Sequence, residues 1–63
     1  MDDRVELPAE LLGELRNAAL DAVFSRLPPS HQREFINWIE SAKKPETRKA
    51  RIEKTVAAVR ERA

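Results

Sequence analysis

General acid–base chemistry needs a side chain whose charge changes near neutral pH, and His31 is the one histidine among 63 residues. It follows Ser30 directly, in what reads as the first turn of a helix, where the helix dipole disfavours the imidazolium. With no second histidine and no clustered carboxylate pair beside it, neither a metal set nor a nucleophile with its base is visible. His31 therefore reads as a solvent-facing first-turn residue, and the chain is not expected to be an enzyme. Cysteine is absent, which removes thiolate chemistry and disulfides and suits a cytoplasmic location. The single glycine, Gly13, lies inside a leucine-rich stretch, so no phosphate-cradling loop exists. What remains is anion recognition. A helix beginning at Ser30 would present unpaired N–H groups, and Lys44, Arg48 and Arg51 would lie along a following helix, their guanidinium forks suited to a carboxylate or phosphate. The plainer alternative makes Ser30 only a cap and pairs the arginines with Glu34, Glu40 or Glu46.

These residues must be positioned by helices. Strand-like alternation is lacking, and prolines at positions 8, 28, 29 and 45 divide the chain at intervals suited to short helices. The expected fold is all-α, a compact bundle of about four short helices, with residues 1–6 a flexible tail and 7–62 a single helical domain. The first helix begins near Pro8, placed at the first helical position, and carries Leu7, Leu11, Leu12 and Leu15. A break at Asn17, acting as an N-cap, starts a second helix with Leu20, Val23, Phe24 and Leu27 at helical spacing, the competing reading being one continuous helix kinked where Gly13 and Asn17 weaken it. Leu27-Pro28-Pro29-Ser30 stops that helix and Ser30 caps a third, which runs to about Ala42 and buries Phe35, Trp38, Ile39 and Ala42. The spacing of the two aromatics assigns them to the core rather than to a base-stacking platform. Pro45 opens the fourth helix, which runs to about Glu61 with a seam of Ile52, Val56 and Val59. Lys44, Arg48, Arg51, Thr55 and Arg62 fall within about 60° of one another on one flank of that seam.

Bulk properties limit the function further. A chain of 63 residues buries only about 60% of its unfolded surface, leaving little material for a deep pocket. No apolar run approaches the roughly 20 residues that cross a bilayer, and the acidic start does not read as a secretory signal. Net charge is +1, yet the chain through Ala42 carries 4 basic and 8 acidic residues, and the remainder 8 basic and 3 acidic. That polarity either lets oppositely charged helices pack together, the plainer reading, or offers a surface to an acidic partner.

The run Leu27-Pro28-Pro29-Ser30-His31, followed by Glu34-Phe35, Trp38-Ile39, Ala42-Lys43, Pro45-Glu46-Thr47-Arg48, Arg51-Ile52 and Lys54-Thr55-Val56, closely resembles the YdeI/OmpD-associated bacterial family, also called the bacteriocin-protection family. The resemblance covers roughly residues 7–60. Longer members carry a separate domain ahead of a C-terminal helical segment, and this chain looks like that segment. Phe35 stands where the family often has tyrosine, so no hydroxyl-dependent role carries over. The resemblance implies a bacterial protein associated with stress or with resistance to bacteriocins and cationic antimicrobial peptides, without an established reaction or cofactor. The polar positions shared with the family's pattern are Ser30, His31, Lys43, Glu46, Thr47, Arg48 and Arg51, which form the candidate surface.

Two functions follow as expectations. In the first, that surface binds an acidic group on a protein partner or a small anion. In the second, the basic second half and the turn at Pro28-Pro29 serve nucleic-acid binding in a loosely helix-turn-helix manner, against which stand Glu46, Glu53 and Glu61 on the fourth helix. A homodimer joined through exposed Leu12, Val23 or Ile36 is a further candidate state.

Overall fold

Pro29 and Pro45 each occupy the first position of a helix, where proline's fixed φ helps and its missing N–H costs nothing. The computed structural model describes residues 6–63 and contains four helices: α1 Ala9–Asn17, α2 Asp21–Arg26, α3 Pro29–Glu40 and α4 Pro45–Arg60. The all-α expectation holds, with no strand among the described residues. The flexible-tail assignment falls mainly on residues 1–5, which lie outside the described residues, while Glu6 is exposed and non-helical. Pro8 stands one place before α1 rather than at its first position.

The break after Asn17 is real, but its chemistry differs from the expectation. Asn17 is the last residue of α1 and caps nothing. The helix closes by a Schellman motif: the Ala19 N–H donates to Arg16 O at 3.0 Å and the Leu20 N–H to Leu15 O at 2.7 Å. Leu15 and Leu20, both buried, supply the apolar contact that accompanies this closure. The motif requires a left-handed residue, and Ala19 takes that role with φ 58°, where glycine would be unstrained. In the same helix Gly13 has ordinary negative φ, and a Cβ there would meet nothing within 4 Å. The two residue types thus stand at each other's preferred positions. Ala19→Gly and Gly13→Ala should each raise stability by about 0.5–1 kcal/mol, and their effects should add. Urea denaturation of the two single variants and the double variant checks this; a destabilising Ala19→Gly would contradict the closure described.

Ser30 does not cap α3. Pro28 occupies the cap position, its carbonyl accepting from the N–H groups of His31 and Gln32 at 2.9 and 3.1 Å, and no side chain caps the helix. The α2–α3 corner is fixed instead by Gln32, a buried side chain whose Nε2 donates to Ser25 O at 3.2 Å and Leu27 O at 2.8 Å. These bonds satisfy carbonyls that the end of α2 leaves without intrahelical partners.

The core is Leu11 and Leu15 of α1, Leu20 before α2, Phe24 of α2, Ile36 and Ile39 of α3, and Ile52 and Val59 of α4. α4 packs against both α1 and α3, and α2 against α1. The register of α3 departs from the expectation. Gln32, Ile36 and Ile39 face inward, Phe35 and Ala42 are half-buried, and Trp38 is 39% exposed. Ile36 is consequently a core residue and unavailable for joining two copies, while Leu12 and Val23 are half-buried. Thr55, expected on the basic flank, is fully buried with its Oγ1 donating to Arg51 O at 2.8 Å. No helix among the described residues is long and apolar enough to cross a membrane.

Candidate functional site

α4 is the positively charged partner of two neighbours. On the side facing α1, Arg48 makes a two-point pair with Glu10, Nε donating to Oε2 at 2.7 Å and Nη2 to Oε1 at 3.3 Å. This is the helix-to-helix use of the charge asymmetry, with Glu10 of α1 as the acceptor in place of the glutamates expected from sequence. The hydrogen bonds from Arg48 hold the Glu10 carboxyl below its ordinary range, and the adjacent positive charge adds to that effect. A carboxyl with a lowered folded pKa contributes stability above its unfolded pKa, and the contribution disappears as pH falls through the folded value. The stability gap between wild type and Glu10→Gln should therefore be present at pH 7, close as the medium is acidified below about pH 4, and shrink in high salt because the pair is exposed. Chemical denaturation across pH measures it; a gap that persists at pH 2 would show that the pair is not its source.

On the side facing α3, Arg51 sits at the end of that helix. Its Nη1 donates to Trp38 O at 2.6 Å and to Ser41 Oγ at 2.8 Å, and its guanidinium carbon lies 5.1 Å from the centre of the Trp38 ring. α3 has no basic residue in its own last turn, so Arg51 supplies from α4 the positive charge and donors favoured at a helix C-terminus. The same contact places a cation over the indole, a favourable electrostatic arrangement.

The sequence-derived surface separates accordingly. Ser30 and His31 are exposed at the start of α3, whereas Arg51 reaches its end, near Ser41. Eleven residues of helix put these places roughly 16 Å apart. Ser30 and Arg51 therefore do not jointly cradle one anion. Arg48 is turned to α1, Lys43 and Glu46 are exposed around the α3–α4 connection, and Thr47 is half-buried there.

His31 does enter a shared feature. With Glu34, Phe35, Trp38 and Arg62 it lines a shallow hollow of about 290 Å³. Phe35 forms the inner edge, its ring 6.4 Å from that of buried Phe24 and tilted 48° to it. Trp38 is the one large apolar side chain exposed among the described residues. The candidate surface lacks Trp38 because the 3-and-4 spacing of α3 fits two core registers; Arg62, on the basic flank expected from sequence, lies outside the family's polar pattern. The distinguishing signal was Ile36, whose alignment with Ile39 makes the inward stripe Gln32, Ile36, Ile39. Among the described residues no group of three histidine, aspartate or glutamate side chains is placed to hold a metal ion.

No curated protein and no solved structure matches this sequence. A family model does, over residues 4–62, the one described as bacteriocin-protection, YdeI or OmpD-associated. The fragments gathered around the Pro28-Pro29 corner and the start of α4 thus belong to a pattern extending across nearly the whole sequence, and the chain is a member of the bacteriocin-protection, YdeI or OmpD-associated family.

Proposed function

We propose that this chain is a non-catalytic binding module, serving the protective role in its family's description, that engages an acidic group of a protein partner along the α3–α4 face. The observation that carries the reading is Trp38, exposed at 39% yet held by Arg51, which stacks on its ring and bonds its carbonyl. A tryptophan on a small domain's surface leaves apolar area in water, and tryptophan and arginine are the residue types enriched at binding hot spots. His31 and Glu34 line the same hollow, which is open to solvent; a site that excludes so little water favours binding over acid–base chemistry.

The reading differs from the basic edge expected from sequence. Arg48 is given over to α1, and the partner-facing residues are Trp38, Arg51, Arg62 and His31. A photo-crosslinking amino acid placed at Glu34, which is exposed in the same hollow and leaves Trp38 intact, should give a discrete protein adduct in the native cells. The same group at Ala22, exposed on α2, should not, and Arg62→Glu should abolish the adduct from position 34. Equal labelling from both positions, or none from position 34, would refute the proposed face.

A further inference from the structure

Resting on that reading, we infer that the partner is an acidic amphipathic segment carrying two carboxylates roughly 16 Å apart, on either side of an apolar side chain that seats on Trp38. At 100° per residue Arg51, Lys54 and Ala58 of α4, and Arg62 in the turn that continues it, fall within about 80° of one another. The contacts of Arg51 with Trp38 and Ser41, and the hollow shared by Arg62 with α3, place that side of α4 beside α3. The two arginines are eleven residues apart, which at 1.5 Å per residue sets the spacing. Between them runs the aromatic edge of α3, Phe35 and Trp38, a helical turn apart.

Each arginine is suited to an incoming carboxylate. Arg51 is held in place through Nη1, and its Nε and Nη2 donors have no partner among the described residues, so two-point binding of a carboxylate involves little further ordering. Arg62 borders the hollow and is exposed. Glu34 lines the same hollow and repels a continuous line of negative charge. A nucleic-acid strand, with a phosphate about every 3.4 Å, would meet Glu34 in the hollow beside Arg62. A peptide can place its charges at the ends and an apolar residue in the middle. In a helical partner the matching separation is eleven residues, which also returns both side chains to one face.

The test uses the whole chain and synthetic alanine-rich helical peptides, each with one central leucine and two glutamates separated by four, seven or eleven residues. Trp38 is the only tryptophan, so its emission reports occupancy directly. The eleven-residue spacing should bind at least tenfold tighter than the four-residue spacing, and Arg62→Gln should remove that preference. Arg62→Glu should restore binding to a peptide carrying lysine at the matching end, a rescue that simple loss of folding could not give. Affinity independent of spacing would overturn the inference while leaving the face itself standing. No emission change with any peptide would also overturn it, and the crosslink at position 34 then decides separately whether the face survives. Tighter binding of a single-stranded oligonucleotide, falling steeply with salt, would replace the peptide by nucleic acid.

Discussion

Phe24→Ala is expected to remove half or more of the protein's stability. Phe24 is completely buried and is the only buried residue within the six-residue helix α2. A helix that short has no intrinsic stability and persists only through the face it buries. Truncating a buried phenylalanine costs about 3–5 kcal/mol in lost transfer energy and residual cavity. At about 0.05–0.15 kcal/mol per residue, a domain of this length holds about 3–9 kcal/mol in total. The loss is therefore comparable with the whole margin. Phe35→Ala, which truncates the half-buried partner ring, should cost less than half as much and leave a cooperative transition. Circular dichroism during thermal and urea unfolding distinguishes these outcomes. A Phe24→Ala variant melting within 5 °C of wild type would place the energetic centre elsewhere, since about 1 kcal/mol moves the midpoint by about 4–8 °C in a domain of this size.

The primacy of Phe24 over Trp38 bears on what the sequence could reveal. Proline acts locally, so Pro45 announces the start of α4, whereas α3 starts at Pro29, ahead of the Ser30 cap that the sequence suggests. Helix ends were less legible. Alanine at position 19 carries no signal for a left-handed residue, and the Schellman closure is visible only once Leu15 and Leu20 are seen together. The register of α3 was ambiguous because Ile39 belongs to both possible stripes, 35-38-39-42 and 32-36-39. Local spacing favoured the heavier aromatics. The packing prefers aliphatic Ile36 and Ile39 with Gln32, because Gln32 also satisfies the carbonyls ending α2. That requirement comes from another helix and cannot be read from the periodicity of one. The same limit applies to the site: the α4 arginines were recognisable as anion-binding side chains, but whether they face a neighbour or a ligand depends on where α1 and α3 end.

Removing Arg51 should loosen the end of α3 while leaving α1 intact, and removing Arg48 should do the reverse. Arg51 bonds the last turn of α3 with one nitrogen and stacks on Trp38. A hydrogen bond from a charged donor contributes about 1.5–3 kcal/mol when well sheltered, and Arg51 is only half-buried. Discounting for solvent, Arg51→Ala should cost about 1–2 kcal/mol, lowering the melting midpoint by about 5–15 °C. Arg51→Lys should recover less than half of this, because an ammonium keeps the charge at the helix end but not the planar fork over the indole. The spatial pattern is the sharper measurement. Amide exchange at Ser41 and Ala42, whose N–H groups bond Asn37 O and Ile39 O, should accelerate in Arg51→Ala. In Arg48→Ala the faster exchange should fall instead on the first hydrogen-bonded amides of α1, such as Leu12 to Pro8. Those two positions lie on opposite neighbours of α4, so local opening at one need not open the other. If both variants accelerated exchange uniformly along the chain, α4 would be acting through global stability alone. Trp38 would then owe its position to the core of α3 and not to the arginine stacked upon it, and the preformed face on which partner binding depends would be lost with it.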